Sequence, residues 1–432
     1  MLYLRWAGRG LGRIASSPSQ QLWGLPASTS NNNTAPLNSC RLLLTQAHPR
    51  CYDVIWSSLC LERSGLHERL KAVYATSAAT HPSSIFNLKT PGAASSATGL
   101  PARIRTQMLP KIAFIGTGGT IASIGADQFD LLDYNASGER VDASALIERT
   151  GIQGKFADII PVDIRQIDST ALTSNDWWKL AETCLRIMED PDVAGIVIGH
   201  GTASLEETAW ALSLVLDAKK PVILTGSMRP LTGISTDAHA NLASAVRVAS
   251  NPGLAGVFVV INDEIHSPRL VTKTHTLRLG AFQSPWVGPI GYIDGPDVRL
   301  MRCKENPPPI FAHSLLRDLP RVDISYSYIG ADGVGIRAYV AAGARGIVSA
   351  GFGPGMTTPA ESSAVLEAIA GGVVVVQSSR THSGLVVDSA QNRISGIIAG
   401  SDIGPVKARI LLALCLARGD RQEEIERQFK TL

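Results

Sequence analysis

The sequence predicts an α/β protein, with a larger N-terminal domain on a doubly wound, mostly parallel sheet and a smaller C-terminal α/β domain. Three observations carry this expectation. Short apolar, β-prone runs recur from Lys111 onward, segments with helical spacing fill the intervals, and the alternation halts at a proline-rich stretch before resuming. With 432 residues the chain has room for two or three domains.

The first strand, Ile112-Ala113-Phe114-Ile115, breaks into Gly116-Thr117-Gly118-Gly119-Thr120-Ile121-Ala122. An apolar run that ends in glycines reads as a buried strand feeding a tight loop, where backbone can come close to a ligand. A loop to Tyr134, a short helix over 143–149 and an extended segment over 159–167 follow. Ser174-Asn175-Asp176 is placed to cap a helix whose apolar face includes Trp178, Leu180, Cys184 and Ile187. Residues 194–198 form a third strand that runs into Gly199-His200-Gly201-Thr202-Ala203. Ser204 with Glu207 fits a capping box ahead of Leu205, Ala209, Leu212 and Leu216, which sets Thr202 beside a helix N-terminus. A strand over 221–224, a helix over 238–249 and a strand over 256–261 complete this series.

The stretch from Asn306-Pro307-Pro308-Pro309 to Pro320 reads as an interdomain linker. Beyond it come strands over 322–327, 346–350 and 373–377, helices toward Ala342 and over 359–370, and two closing helices over 405–417 and 421–429. The expected divisions are a leader over 1–107, domains over 108–305 and 322–432, and a linker over 306–321.

Composition narrows the function classes. Charged residues make up 18% of the chain, hydrophobic ones 45%, and the formal net charge is +3, a balance that suits a globular enzyme better than a nucleic-acid binder. The positive excess sits in residues 1–107, with eleven Lys/Arg against three Asp/Glu; the remainder holds 29 against 34. That Arg- and Ser-rich, acid-poor stretch has the composition of an organelle transit peptide, and an upstream extension of the reading frame with Met108 as the start is the equal alternative. Either way it is expected to be disordered and outside the fold, in a cytoplasmic protein or, if it is a transit peptide, an organellar one. Cys40, Cys51, Cys60, Cys184, Cys303 and Cys415 show no CxxC spacing, so neither a disulfide framework nor a zinc site is expected. The longest apolar run near the C-terminus, 410–417, is too short to span a bilayer.

The glycine-rich loop does not match the phosphate-binding patterns. Ile121 stands where the dinucleotide fingerprint needs its third glycine, and the Gly-Lys-Ser/Thr of a Walker loop is absent. A glycine turn without function is the plain reading of this loop taken alone. Its design is repeated, however: strand, glycine, threonine, then helix, with Thr120 ending the first loop and Thr202 the third. A threonine hydroxyl is a weak nucleophile and needs a base, a lysine or a polarising network. Lys273, in Val271-Thr272-Lys273-Thr274-His275, is the one suggestive lysine, although a lysine in a polar loop is ordinarily a solvated charge.

Further motifs occur in order: His200-Gly201-Thr202 with Glu206-Glu207-Thr208, Thr225-Gly226-Ser227-Met228-Arg229, Val271-Thr272-Lys273-Thr274, Ser378-Ser379-Arg380 and Lys407-Ala408-Arg409. In these and in Thr117-Gly118-Gly119-Thr120-Ile121-Ala122, the chain from about Lys111 to Leu432 resembles the bacterial-type L-asparaginase/glutaminase amidohydrolases. The resemblance covers the body and none of the leader. It implies hydrolysis of the side-chain amide of L-asparagine to L-aspartate and ammonia through a covalent acyl-enzyme, with no metal or organic cofactor. It implies Thr120 as nucleophile, Tyr134 assisting its deprotonation, and Thr202 with Lys273 as a second hydroxyl–amine pair that activates a nucleophile or water. Ser169, Thr170, Gly201 and Ala203 fall at substrate-binding positions, Ser169 where the family holds the substrate α-carboxylate. Backbone N–H groups beside Ala203 and Ala122 are candidate oxyanion donors. The family also implies a homotetramer, a dimer of dimers whose paired subunits complete each site. A loop aromatic is the plain reading of Tyr134, and a turn serine that of Ser169.

The departures bear on substrate. Where the family ordinarily has an aspartate for the substrate α-ammonium this chain has Ala203, and Thr170 stands where glutamine is frequent. Gly353-Pro354-Gly355-Met356 lacks the family's polar asparagine pattern, and no acid around 388–391 aligns with its neighbour-subunit glutamate. Losing a carboxylate partner costs an ammonium about 1.5–3 kcal/mol, a factor of ten to a hundred or more in affinity. L-Asparagine is therefore expected to bind less well unless another acid takes over, and Asp237 is one candidate. Two alternatives follow: the same chemistry on an amide without a free α-amine, or a non-catalytic binding homologue. A subunit of a transfer-RNA-dependent amidotransferase is disfavoured by the acidic body.

Overall fold

The computed structural model describes residues 108–136, 138–302, 309–381 and 383–432. The expected leader, the run Asn306-Pro307-Pro308 and Cys40, Cys51, Cys60 and Cys303 lie outside the described residues.

Strand β1 (Lys111–Gly116) sends Ala113 and Ile115 into one core and Ile112 and Phe114 into another. A strand buried on both faces has no polar side to show, which is why its sequence is a continuous apolar run. The same holds for β3 (Val193–Gly199), β4 (Pro221–Thr225) and β5 (Gly256–Ile261). β2 (Asp158–Asp163) lies at the sheet edge, where its Pro161 costs no interior ladder bond. These five strands pair in parallel in the order β2-β1-β3-β4-β5. β6 (Glu264–His266) extends the sheet antiparallel, a separate hairpin of β7 (Thr272–Lys273) and β8 (Phe282–Gln283) follows, and β9 (Gly291–Asp294) and β10 (Asp297–Leu300) complete the far edge.

Helices α1 (Ala143–Thr150) and α4 (Ala238–Ala249) pack on one face of the sheet, and α2 (Ser174–Met188) and α3 (Leu205–Val215) on the other. From β1 the chain moves outward to β2 and then returns to β3 on the other side of β1. In open α/β sheets such a reversal leaves a ligand crevice at the carboxyl ends of the two flanking strands. Here those strands are β1 and β3.

The second sheet is parallel and in sequence order: β11 (Val322–Tyr326), β12 (Gly346–Gly351), β13 (Val374–Ser379) and β14 (Ile397–Ala399). α5 (Val334–Ala341) and α6 (Pro359–Ala370) close one core of this domain. Short α7 (Ala390–Ser395) precedes β14, and α8 (Pro405–Arg418) buries Ile410, Leu411, Leu412 and Leu414 in the same core as Leu205 and Leu212 of α3. The apolar run near the C-terminus is thus the helix that joins the two domains, and α9 (Gln422–Thr431) ends the chain. No helix among the described residues is long and apolar enough to cross a membrane.

Some elements differ from expectation. Ser204 and Glu207 do not form a capping box: the Ser204 side chain is turned toward the Ser169 carbonyl, to which its hydroxyl donates (2.7 Å), and α3 starts at Leu205 without a side-chain cap. α2 is capped from Thr173 rather than Ser174, its N–H donating to the Asp176 carboxylate at 2.9 Å. Trp177, not Trp178, is the deeply buried tryptophan of α2; the Trp178 ring lies 4.4 Å beneath the Arg317 guanidinium. The extended segment after residue 158 ends at Asp163. β6, β9 and β10 have no clear sequence signal because each is three or four residues long and only β6 is largely buried.

Candidate active site

β1 and β3 run side by side with Gly116 opposite Gly199, so their loops leave the sheet together. Thr117 ties the loops, its N–H (3.0 Å) and hydroxyl (2.9 Å) both donating to the Gly199 carbonyl. Beyond it Gly119 rests on Gly201. A Cβ on Gly119, whose φ is +83°, would stand 2.2 Å from Gly201 Cα, and one on Gly201 would stand 2.6 Å from Ser169 Oγ. No side chain fits either place without moving backbone, so these glycines permit the close approach. Thr120, Thr202 and Ser169 are thereby gathered from three segments at the β1/β3 reversal.

Thr120 opens a single 3₁₀ turn (Thr120–Ala122), and its Oγ1 lies 3.0 Å from Tyr134 Oη. Tyr134 rides the loop 124–139, whose ends are pinned by Ile124 N–H to the Glu139 carbonyl (3.0 Å) and Val141 N–H to the Ala122 carbonyl (2.9 Å). At its base Arg140 pairs with Asp168, the residue before Ser169. Thr202 Oγ1 accepts a hydrogen bond of 2.9 Å from Lys273 Nζ, delivered by the β7–β8 hairpin. Lys273 is thus no solvated surface charge. Burial pushes its amine below the ordinary lysine value, against the opposing influence of the Glu206 carboxylate. Ser169 and Gly201 are buried, whereas Thr170 and Ala203 are exposed.

Comparison with known proteins places the chain in a family. Residues 111–305 match the family model for the asparaginase N-terminal domain, and residues 321–429 that for the glutaminase/asparaginase C-terminal domain. The chain belongs to the asparaginase family. It is 37% identical over 326 residues to L-asparaginase 2 of Bacillus subtilis (strain 168), covering 74% of this chain and 86% of that protein. It is 34% identical over 330 residues to the glutaminase-asparaginase of Pseudomonas fluorescens biotype A, covering 74% and 90%. The crystal structure of a probable cytoplasmic L-asparaginase from Campylobacter jejuni superposes with a TM-score of 0.70 at 37% identity, covering 75% of this chain and 100% of that one. The protein is therefore an asparaginase-type amidohydrolase.

Two expectations for this asparaginase-family site are corrected. The N–H of Ala122 donates to the Gly119 carbonyl (3.0 Å) within its 3₁₀ turn and is not an oxyanion donor. Asp237 is not the missing ammonium partner either. Its carboxylate accepts from the N–H groups of Met228 (2.9 Å) and Arg229 (3.0 Å) and from Asn241 Nδ2 (2.9 Å), so it organises the turn after β4.

A buried support beneath Thr202 had no sequence signal beyond a histidine among glycines. Trp177 Nε1 donates to Thr208 Oγ1 (2.9 Å), Thr208 Oγ1 lies 2.9 Å from His200 Nε2, and His200 Nδ1 lies 2.8 Å from the Gly201 carbonyl. Neutral His200 satisfies this chain by accepting at Nε2 and donating from Nδ1. Burial pushes the imidazole down to about 4. Because the unfolded chain then binds a proton near pH 6.5 that the folded chain refuses until about 4, stability must fall as pH drops through this window. Between pH 7 and 5 we expect a loss of about 2 kcal/mol from this residue, measured by urea unfolding. His200→Gln should flatten that dependence, and an unchanged slope would refute the assignment.

Proposed function

We propose that the chain hydrolyses the side-chain amide of L-asparagine to L-aspartate and ammonia through an acyl-threonine intermediate. The observation that carries this reading is a pair of threonine hydroxyls on the loops that leave neighbouring strands β1 and β3, each beside its own polar partner: Thr120 with Tyr134 at 3.0 Å and Thr202 with Lys273 at 2.9 Å. Thr120 Oγ1 attacks the amide carbon while its proton passes by way of Tyr134 Oη to the departing ammonia. Water then attacks the ester, activated by Thr202 and Lys273, and releases the acid with Thr120 restored. Ser169, beside Gly201, is the candidate holder of the substrate carboxylate, and the N–H of Ala203 is the candidate oxyanion donor. The reading draws further support from relatives named L-asparaginase and glutaminase-asparaginase. It includes a homotetramer built as a dimer of dimers, a cytoplasmic location, and a catalytic domain over 108–305 separated by a linker from the domain over 322–432.

A second reading, hydrolysis of an amide without an α-amine, is favoured by one observation. Ala203 offers no acid, Asp168 is held by Arg140, and buried Asp237 accepts three hydrogen bonds from the turn after β4 and from α4. Ammonia release from L-asparagine, L-glutamine and succinamate distinguishes the two. On the first reading L-asparagine is turned over, and Ala203→Asp raises its kcat/KM about ten- to a hundredfold while leaving succinamate unchanged. Preference for succinamate would establish the second reading, and silence on every amide would overturn both.

A further inference from the structure

Lys273 has two sides. One faces Thr202; the other looks into a cavity of about 480 Å³ between the two domains, which neither Thr120 nor Thr202 lines. Among the described residues lining that cavity the acids are Glu206 and Asp402, and the cations besides Lys273 are Arg269, Arg380 and Lys407. Most of these charges are already committed. Arg269 forms a bidentate pair with Asp402, with Nη1–Oδ2 at 3.2 Å. Lys407 donates to the carbonyls of Arg269 (3.0 Å) and Val271. Arg380 lies 4.3 Å above the Phe352 ring and donates to the Ser327 carbonyl at 2.8 Å. Glu206 is different, because its Oε1 accepts the backbone N–H of Lys273 itself at 3.3 Å. It sits in the first turn of α3, three positions after Ala203.

We infer that Glu206 is the acid of the Thr202–Lys273 pair, a positioning residue that acts on the lysine from the first turn of α3. The assignment rests on the proposed role of that pair. It divides the work of an acid in two. The hydrogen bond holds the end of β7 against the start of α3, fixing where the Lys273 side chain begins. The negative charge opposes the desolvation that lowers the amine. Burial lowers the Lys273 amine and Glu206 raises it; Lys407, pushed down to about 8, is opposed by the same carboxylate. The neighbouring Glu207 is itself held up by burial and faces the charge of Arg409, so it does not share the task.

The test is Glu206→Gln in the full-length chain, which keeps an acceptor oxygen for the Lys273 N–H and removes the charge. Lysine labelled with ¹³C at Cε reports the amine titration by NMR, and Lys273→Met identifies the resonance. The expected result is a Lys273 titration moved roughly one unit to lower pH, the size expected when a single neighbouring charge is removed at a partly buried site. Glu207→Gln should leave that resonance in place. An unmoved Lys273 titration in Glu206→Gln would overturn the assignment and leave Glu206 a scaffold alone. The NMR readout does not depend on turnover, so a chain inactive on every amide would count against the proposed function without deciding the role of Glu206.

Discussion

Thr120→Ala should keep its fold and lose amide hydrolysis by at least about 10⁴-fold in kcat, because the attacking atom is removed. Thr120 is half-buried, forms no part of the apolar cores, and spends its hydroxyl on Tyr134 alone among the contacts described. Little stability is therefore at stake, and an unfolding midpoint close to that of the parent is expected. The informative comparison is Thr120→Ser, which keeps a nucleophilic oxygen and should keep measurable turnover. Activity retained in the alanine variant would transfer the nucleophile to Thr202 or to water.

Lys273→Met should cost about 10³-fold in kcat, within the range ascribed to a positioned proton-transfer group. Methionine keeps a long apolar stem beside the Phe282 ring, and the backbone N–H remains available to Glu206. The loss is then confined to the amine that donates to Thr202 at 2.9 Å. If that amine serves the attack of water, ammonia release in a single turnover should outlast the damage while acid release stalls, and hydroxylamine should trap the acyl group. Equal slowing of both half-reactions would instead assign Lys273 to the first step. A variant as fast as the parent would remove it from the mechanism.

The large sheet and both threonine loops were legible in the sequence for one reason: strands buried on two faces must be apolar throughout, and their ends must break. Thr120 and Thr202 stand at such breaks. Lys273 was legible through its motif but not its surroundings, because a two-residue strand in a polar stretch carries no periodicity. The cap of α3 misled for a physical reason: the Ser204 side chain is turned toward a carbonyl thirty-five residues away, and its oxygen takes no N–H of the helix's first turn. Asp237 had the right charge and a plausible place after β4, yet the three donors that hold it come from the fold itself. The chain Trp177–Thr208–His200 links residues of α2, α3 and the loop after β3 that only folding brings together.

The candidate residues all fall before residue 305, yet the segment presenting Lys273 is seated on Lys407 of α8, whose own carbonyl accepts from Trp210 of α3 at 3.1 Å. For recombination between homologues this matters. A crossover in the proline-rich stretch preserves every candidate side chain while replacing the surface on which one of them rests. Exchange of halves would therefore pass sequence inspection and still shift the lysine. Descent with both halves together is the condition under which such a site keeps its aim.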